Sequence, residues 1–433
     1  MSAIQHNTHI REHPERHVHV QKPLLLIGGH VRSANGFARQ DILIRGGIVE
    51  TVGTRLDESC ADKVDCEGLV LSPGFIDLHT HLREPGFSEK ETIRTGTMAA
   101  AAGGFSTVCA MPNLSPVPGS MASLREQLTL IERDAVIEVL PYGAITQSQE
   151  GRALTDIEGM AEDCVGYSDD GRGVKSRSLM LEAMQRVKDV DRLIAAHCED
   201  SRYATADARS EWKQLERDLS LAAETGVRYH VCHVSAKESV SLIRQAKANG
   251  LPVSCECTPH QIMLSAEDIT ADDGRFKMNP PLRARADHEA IVRGLLDGTI
   301  DCIATDHAPH TEIEKEGGFS GSLNGVVGLE TAFAVCHTAL VQTGLCTLEF
   351  LLDKLTEAPA RILKKTQTHG RIAPGRPANI TLLDVQGAWT VCPKQFQSKG
   401  KSSPFQGMKL IGLPKRLIYI GLFLRPGGKV SEM

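Results

Sequence analysis

The sequence predicts an α/β protein: a (β/α)8 TIM-type barrel with a small β-sandwich formed by the N- and C-terminal segments. Three observations support this prediction. Eight short apolar runs alternate with helical stretches through the middle of the chain, as eight strand–helix units require. Turn-rich, β-like sequence stands on either side of them. An open doubly wound sheet would favour a Gly-rich phosphate loop after an early strand, and the sequence contains none.

The eight apolar runs are predicted to be the barrel strands, because each is short and bounded by turn residues. We assign the barrel to residues 72–372. The runs are Phe75–His81, Ser106–Met111, Ile137–Ile145, Cys164–Ser168, Leu193–His197, Tyr229–Val234, Val253–Thr258 and Cys302–Thr305. Helical periodicity between them is clearest at Glu89–Ala102, Leu179–Val187, Ser239–Ala248 and His288–Asp297.

Both ends of the chain have short β-like runs. Leu24–Ile27, Asp41–Arg45 and Ile48–Val52 lie near the N-terminus, and Gly46-Gly47 is a hairpin signal. After residue 373 the pattern returns at 380–383 and 417–424. We therefore predict that residues 23–71 and 373–433 combine into one composite β-sandwich. The His-rich residues 1–22 lack apolar periodicity and are expected to form a disordered tail.

Composition argues against several kinds of partner. The net charge is −6 and aromatic residues make up only 4% of the chain, so neither nucleic acid nor membrane is an expected partner. No apolar run reaches the roughly 18 residues of a membrane span. The twelve cysteines are scattered without a Cys-x-x-Cys pair, as expected of reduced thiols in the cytoplasm. A small-molecule substrate is the expected partner.

Metal-competent side chains follow most of the predicted strands. His79 and His81 end the first run, and alternate residues of a strand project from the same face. Two imidazoles on one face can bind one metal ion, and imidazole suits zinc. Further polar side chains close later runs: Asn113, Asp169, Asp170, His197, His233, Asp306 and His310. Because active sites of such barrels lie at the carboxyl ends of the strands, we expect these side chains to converge.

Four histidines and two aspartates would suffice for two divalent ions with a bridging water. A carboxylate is a natural bridge. Adjacent strand residues point in opposite directions, so either Asp169 or Asp170 faces the metals, and the residues alone leave both open. Asp306 could bind metal and carry a proton from water to a leaving nitrogen. The alternative for Asp306 is a helix N-cap.

A second set of side chains is suited to recognise a carboxylate and an amide. Arg83 continues the alternation of His79 and His81, and its planar guanidinium can bind a carboxylate with two hydrogen bonds. Asn113 and His310 offer further donors. Asn279 lies in the long connection between the seventh and eighth strands and could pair with a ring amide. Its alternative role is that of a turn residue before proline.

These residues resemble the amidohydrolase superfamily and, within it, the class I dihydroorotases. The matching motifs are Phe75–Gly86, Ala110–Asn113, Ser168–Gly171, Ala196–Glu199, His233–Ser235, Asn279–Arg283 and Ile303–His310. The resemblance runs from about Leu24 to the C-terminus. It implies a distorted barrel with a composite β-sandwich. The implied reaction is zinc-dependent, reversible cyclisation of N-carbamoyl-L-aspartate to L-dihydroorotate, the third step of de novo pyrimidine synthesis.

The resemblance also implies roles for individual residues. One or two zinc ions would be held by His79, His81, Asp170, His197, His233 and Asp306, with Asp170 as the bridge and Asp306 as general acid/base. Arg83, Asn113 and His310 would bind the substrate carboxylate, Asn279 the ring, and Asn324 and Gly325 the ring through their backbone. The chain departs from the family at Ala208–Ala223 and Gly321–Val327, and neither segment contains a proposed metal ligand.

Two alternatives stay open. A hydantoinase, dihydropyrimidinase or allantoinase would typically bridge its metals with a carboxylated lysine, whereas here the nearest lysine, Lys175, follows the Asp169-Asp170 pair. Arg83 also favours a substrate that carries a carboxylate. The other alternative is an inactive partner of aspartate transcarbamoylase, which would be expected to have lost metal ligands. A homodimer is the expected oligomer, as the commonest symmetric assembly, and association with aspartate transcarbamoylase is a further expectation.

Overall fold

The structure is a computed structural model that describes residues 22–33 and 36–424. The tail predicted over residues 1–22 lies, apart from Lys22, outside the described residues. The described strands are β1 (Leu24–Ser33), β2 (Gly36–Arg45), β3 (Ile48–Gly53), β4 (Asp62–Asp65), β5 (Val70–Pro73), β6 (Phe75–Thr80), β7 (Phe105–Ala110), β8 (Glu138–Ala144), β9 (Gly166–Ser168), β10 (Leu193–Ala196), β11 (Arg228–Val231), β12 (Val253–Cys257), β13 (Cys302–Ile303), β14 (Ile380–Thr390), β15 (Lys409–Tyr419) and β16 (Leu422–Leu424).

Strands β6 to β13 form an eight-stranded parallel sheet in which neighbours in the chain are neighbours in space. A parallel bridge between Thr80 and His307 joins the end of β6 to the segment after β13. The His81 N–H donates to the His307 carbonyl at 2.9 Å. The sheet therefore curls round to a nearly closed barrel. The predicted TIM-type barrel is confirmed, and each of its eight predicted strands contains or overlaps an observed one.

Helices alternate with these strands. The described α-helices are α1 (Ile93–Ala102), α2 (Met121–Asp134), α3 (Ile157–Met160), α4 (Arg177–Asp189), α5 (Arg209–Thr225), α6 (Lys237–Ala248), α7 (Pro259–Met263), α8 (Arg285–Leu296), α9 (Glu312–Lys315), α10 (Gly318–Gly321), α11 (Ala332–Cys336), α12 (Leu348–Leu355) and α13 (Glu357–Ile362). The first predicted helix begins later than expected because Thr92 is its N-cap. The Thr92 hydroxyl accepts from the Thr95 N–H at 3.1 Å and completes a capping box.

The two ends of the chain share a second, mixed sheet with the order β16-β15-β14-β5-β1-β2-β3, and β4 pairs with β1. Strand β5, from the N-terminal part, runs antiparallel to β14, from the C-terminal part. The predicted association of both chain ends is thus observed. Gly46 and Gly47 turn β2 into β3 with φ values of 57° and 79°, which only glycine adopts at little cost. The assignment of residue ranges to separate domains stays a prediction.

Apolar side chains from the barrel strands and the surrounding helices form the largest buried cluster, which includes Phe75, Phe105, Tyr167 and Phe333. All twelve cysteines are free thiols, and nine of them are buried. Burial of so many unpaired thiols agrees with their role as small apolar core residues. Within the described part of the chain, no helix is both long enough and apolar enough to cross a bilayer.

Candidate metal centre and substrate pocket

The metal-competent residues meet at the carboxyl ends of the barrel strands. His79 lies in β6, and the others follow their strands by one to three residues. All are at most 6% exposed. The six side chains that the structure brings together here are His79, His81, Asp170, His197, His233 and Asp306. We call them the histidine–aspartate cluster.

Asp170 is the centre of this cluster. Its Oδ1 lies 3.3 Å from His79 Nε2, and 3.7 Å from both His197 Nδ1 and His233 Nε2. Its Oδ2 lies 3.5 Å from His81 Nε2. One carboxylate therefore faces all four imidazoles, which is the position that a bridging ligand requires.

The neighbouring Asp169 points elsewhere. Its Oδ1 accepts hydrogen bonds from the backbone N–H groups of Ile145 at 2.8 Å and Thr146 at 3.0 Å. Asp169 thus ties the end of β8 to the end of β9. The alternation of strand residues explains why only Asp170 reaches the imidazoles.

Asp306 closes the cluster on the side of the last strand. Its Oδ1 lies 3.1 Å from His81 Nε2 and 3.5 Å from His79 Nε2. Both imidazoles are thus shared between Asp306 and Asp170. The arrangement creates two overlapping sets of three ligands whose donor atoms lie within 4.8 Å of one another: His79, His81 and Asp306, and His79, Asp170 and His233.

Two buried atoms of the cluster lack a hydrogen-bond partner of suitable geometry among the described residues. They are His79 Nε2 and Asp170 Oδ1, which face each other. Leaving buried polar atoms unpaired is costly, so such pairs are rare without a bound ion or water. Imidazole nitrogens and carboxylate oxygens are ligands for zinc and its neighbours. The donor set therefore fits a divalent metal ion.

The electrostatics of the cluster also favour a cation. Burial alone would raise the pKa of Asp170, but the charge of His79 and the nearby imidazole of His233 hold it well below its usual range. For Asp306, burial is likewise outweighed, chiefly by His79 and by the hydrogen bond with His81, and its pKa is lowered. Burial would lower the pKa of His79, yet the Asp170 carboxylate raises it well above the usual value. Both carboxylates are ionised, and the pocket attracts positive charge.

A buried carboxylate on β12 orients His79 from behind. Glu256 Oε1 accepts from His79 Nδ1 at 2.9 Å, and its Oε2 accepts from His230 Nε2 at 2.9 Å. With Nδ1 occupied, His79 presents Nε2 to the cluster. Burial would raise the pKa of Glu256, but hydrogen bonds with His230 and His79 lower it to about 2. Glu256 is not among the residues predicted from the sequence, although a lone carboxylate inside the Val253–Cys257 strand was a signal.

Two more imidazoles are held in the same manner. Asn113 Oδ1 accepts from His81 Nδ1 at 2.8 Å. Glu199 Oε2 accepts from His197 Nε2 at 3.1 Å, and this hydrogen bond is the main reason that the pKa of Glu199 falls to about 2. Asn279 Nδ2 donates to the same Glu199 oxygen at 2.9 Å. Asn279 thus borders the cluster through Glu199. Glu199 belongs to the Ala196–Glu199 motif, but no role was predicted for it from the sequence.

Arg83 and His310 form the opposite end of the pocket. Arg83 Nε donates to the Pro309 carbonyl at 3.2 Å, and its Nη2 lies 3.4 Å from His310 Nε2. The same His310 nitrogen donates to the Asn324 carbonyl at 2.8 Å. Burial, together with the charge of Arg83, lowers the pKa of His310 to about 4. His310 is therefore a neutral donor beside a buried guanidinium.

Gly325 follows Asn324 in the loop that faces His310. Its φ of 138° is a conformation that other residues rarely adopt, and a Cβ there would lie 2.6 Å from the Ala308 carbonyl oxygen. This position therefore requires glycine. The structure thus brings all twelve sequence-predicted site residues to one end of the barrel.

Three of these residues have left-handed backbone conformations, with φ values of 61° at Arg83, 31° at His233 and 48° at Asp306. Such conformations cost on the order of 1–3 kcal/mol for residues other than glycine and cluster at functional sites. Hydrogen bonds hold the segment before Asp306, because Asp77 accepts from Thr305 Oγ1 at 2.6 Å. The surrounding structure thus stabilises a strained backbone where these side chains turn into the pocket.

Comparisons with known proteins give concordant results. Residues 70–416 match the amidohydrolase family model. A dihydroorotase from Geobacillus sp. (strain WCH70) is 46% identical over 395 residues, which cover 87% of this chain and 92% of that protein. A dihydroorotase from Halalkalibacterium halodurans is 44% identical over 411 residues, covering 91% and 96%. A dihydroorotase from Fusobacterium nucleatum is also 44% identical, over 87% and 92%.

Solved structures with the same fold have lower sequence identity. The L-hydantoinase (dihydropyrimidinase) from Arthrobacter aurescens superimposes with a TM-score of 0.85 at 24% identity, covering 95% of this chain and 98% of that one. The dihydropyrimidinase from Brevibacillus agri NCHU1002 gives 0.83 at 22% identity, covering 93% and 94%. At these identities the likeness concerns the fold alone.

Proposed function

Because the chain belongs to the amidohydrolase family and acts on a cyclic amide as a dihydroorotase, we propose that its histidine–aspartate cluster and Arg83 carry out this reaction. The substrate is a small molecule, L-dihydroorotate in one direction and N-carbamoyl-L-aspartate in the other. The proposal concerns which residues do the chemistry and which select the substrate.

One observation supports the assignment of this pocket to a substrate that carries a carboxylate. Arg83 is only 9% exposed, yet among the described residues no carboxylate forms an ion pair with its guanidinium. A buried guanidinium without an anionic partner is costly, and a planar carboxylate is its best match. Arg83 follows His81 by two residues, so a substrate that binds it places its ring beside the cluster. Hydantoins have no carboxylate for this position.

We propose zinc as the metal, in one or two ions. The candidate ligands are His79, His81, Asp170, His197, His233 and Asp306, with Asp170 as the bridge because it faces all four imidazoles. When bound, zinc lowers the pKa of water and polarises a carbonyl. Glu256, Asn113 and Glu199 hold three of the imidazoles with the required nitrogen facing the cluster.

Asp306 is proposed as the general acid/base. Its carboxylate is ionised and lies in the cluster, so in hydrolysis it can accept a proton from the attacking water. The water oxygen bonds to the ring amide carbon, the carbon–nitrogen bond breaks, and Asp306 donates the proton to the leaving nitrogen. Ring closure follows the same steps in reverse, with release of water.

The remaining residues are proposed to hold the substrate. Arg83 would donate to its carboxylate, together with the amide nitrogen of Asn113, whose oxygen already accepts from His81. The neutral His310 would turn its single N–H from the Asn324 carbonyl to the same carboxylate. Asn279 would bind the ring amide, and the backbone of Asn324 and Gly325 would line the opposite edge. These roles account for the burial and the close approach seen at this end of the pocket.

The test measures turnover of three cyclic amides by the zinc-loaded protein, with the chelator-treated protein as the control. We expect turnover of L-dihydroorotate that depends on metal, and little turnover of hydantoin or dihydrouracil. Hydrolysis of hydantoin or dihydrouracil without turnover of dihydroorotate would overturn the proposal. The homodimer, the association with aspartate transcarbamoylase and the cytoplasmic location stay predictions, and sedimentation of the chain with and without that partner would check the first two.

A further inference from the structure

The ammonium group of Lys315 is surrounded by backbone carbonyls. Lys315 ends the short helix α9, and its Nζ donates to the carbonyl oxygens of Lys277 at 3.0 Å, Leu323 at 2.7 Å and Gly325 at 2.8 Å. An ammonium has three N–H donors, and each meets one acceptor here. This side chain is therefore fixed, unlike a surface lysine.

The three carbonyls belong to two different segments of the chain. Lys277 precedes Asn279 in the connection between β12 and β13. Leu323 and Gly325 flank Asn324 in the loop that follows α10. The Gly325 N–H also donates to the Lys277 carbonyl at 3.0 Å. The ammonium thus ties together the two segments that carry Asn279 and the Asn324-Gly325 pair.

The positive charge of this side chain has backbone carbonyl oxygens as its direct partners. Among the described residues, no carboxylate lies within ion-pair distance of Lys315. The nearby charges have other partners, because Asp273 pairs with Arg275 and the Lys277 ammonium lies 5.0 Å above the Phe319 ring. Burial lowers the pKa of Lys315 to about 8. A lysine in solvent would not lose the hydration of its ammonium group. The geometry therefore indicates that Lys315 has a specific role.

We propose that Lys315 is a positioning residue that sets the spacing between the Asn279 and Asn324-Gly325 segments, and thereby the affinity of the site for the substrate ring. This inference rests on the proposed function, which assigns both segments to the ring. Lys315 bonds none of the cluster residues, so its removal leaves metal binding and the proton transfer by Asp306 intact. The effect of its loss falls on KM.

The variants that test this role are Lys315→Met, which keeps an unbranched apolar side chain without the ammonium donors, and Lys315→Arg, which keeps charge and donors. Lys237→Met, at an exposed lysine in α6, is the matched control. Three charge-assisted hydrogen bonds are lost in Lys315→Met, so we expect KM for dihydroorotate to rise roughly 10- to 100-fold. The value of kcat should change by less than about threefold, and Lys315→Arg should restore part of the affinity.

Amide hydrogen exchange provides a readout that does not depend on turnover. In Lys315→Met, the amides of residues 311–325 should exchange faster, while those of β6 to β13 and the zinc content stay as in the parent protein. An unchanged KM, or a fall in kcat at constant KM, would overturn the inference. If Lys315→Met does not fold, Lys315→Arg serves as the test. Faster amide exchange at residues 311–325 in Lys315→Arg with a KM equal to that of the parent protein would then overturn the inference, because loosening the segments would not have changed substrate affinity. Failure of the proposed function is distinguishable, because it would leave the parent protein itself without dihydroorotate turnover.

Discussion

The two sides of the pocket are held in place by different means. On the metal side, the proposed ligands sit on or just after parallel strands, and buried side chains such as Glu256 fix the imidazoles. On the substrate side, His310, Asn324 and Gly325 belong to a loop held by hydrogen bonds from side chains to backbone, above all from Lys315. Under the proposed roles, the chemistry depends on residues held by the sheet, and substrate affinity depends on residues held by the loop. Substitutions on the metal side should lower kcat or metal affinity, whereas substitutions on the substrate side should raise KM.

The largest effect is expected at Asp306, on the metal side. Asp306→Ala removes the proposed general acid/base, so turnover of dihydroorotate should fall by about 10²–10⁴-fold or more, while circular dichroism shows an intact fold. Alanine is strained at a φ of 48°, whereas asparagine tolerates it. Asp306→Asn is therefore the control for strain and should lose as much activity. Near-normal turnover in either variant would refute the assignment.

Next in size is the effect of Glu256→Gln, which changes a residue behind the metal side. Glutamine has similar volume but no charge and only one acceptor oxygen, so it cannot accept from both His79 and His230. Affinity for zinc, measured by titration of the metal-free protein, should fall about 10- to 100-fold. Glu289→Gln, at an exposed position in α8, is the control. Equal zinc affinity in the two variants would show that Glu256 does not orient His79.

Arg83→Lys tests the boundary between the two sides. A lysine keeps the charge but cannot present two parallel N–H groups to a carboxylate. We expect KM for dihydroorotate to rise about tenfold, with zinc content unchanged. Steady-state kinetics on protein with measured metal content would check this. If KM stays the same, Arg83 is not the carboxylate ligand.

The smallest effect is expected at Glu330, which follows the Asn324-Gly325 loop in the chain. This carboxylate accepts from the Gln397 and Ser398 N–H groups at 3.0 and 3.2 Å, and burial raises its pKa from 4.5 to about 7. Its charged form is disfavoured in the folded state. The resulting cost is absent below about pH 4.5, grows as pH rises, and is complete above about pH 7.

Glu330→Gln removes this titration. The Tm of the variant relative to the parent should therefore be higher at pH 8 than at pH 5. The exposed Glu289→Gln should show no such difference between the two pH values. A constant difference between Glu330→Gln and the parent at both pH values would mean that Glu330 is ionised in the folded protein without penalty.

Sequence predicts the metal side better than the substrate side. Buried parallel strands are nearly continuous apolar runs, and a polar residue at the end of one stands out. This is why the eight strands and the convergence of residues such as His79 and Asp306 could be foreseen. The choice between Asp169 and Asp170 needed the structure, because only the direction of each side chain distinguishes them.

The supporting groups were harder to foresee for two reasons. Glu256 lies inside a strand, and the sequence does not show that its side chain faces His79. Lys315 lies in a short polar segment that resembles solvated surface, and its partners are backbone carbonyls, which have no sequence signature. The composite sheet was foreseen as a combination of both ends, whereas the pairing of β5 with β14 was not.

The bridge between Thr80 and His307 has a consequence for the order in which the protein matures. It marks the seam where the first and last barrel strands meet. A proposed ligand from each lies beside it, and these two residues, His81 and Asp306, are 225 residues apart in the chain. During synthesis, the ligand set cannot be complete until residue 306 has left the ribosome. Contacts of such long sequence separation slow folding, because the entropy of closing the long loop is lost before the contact forms. A metal ion bound by the full set would therefore stabilise the closed barrel and report that the barrel has formed.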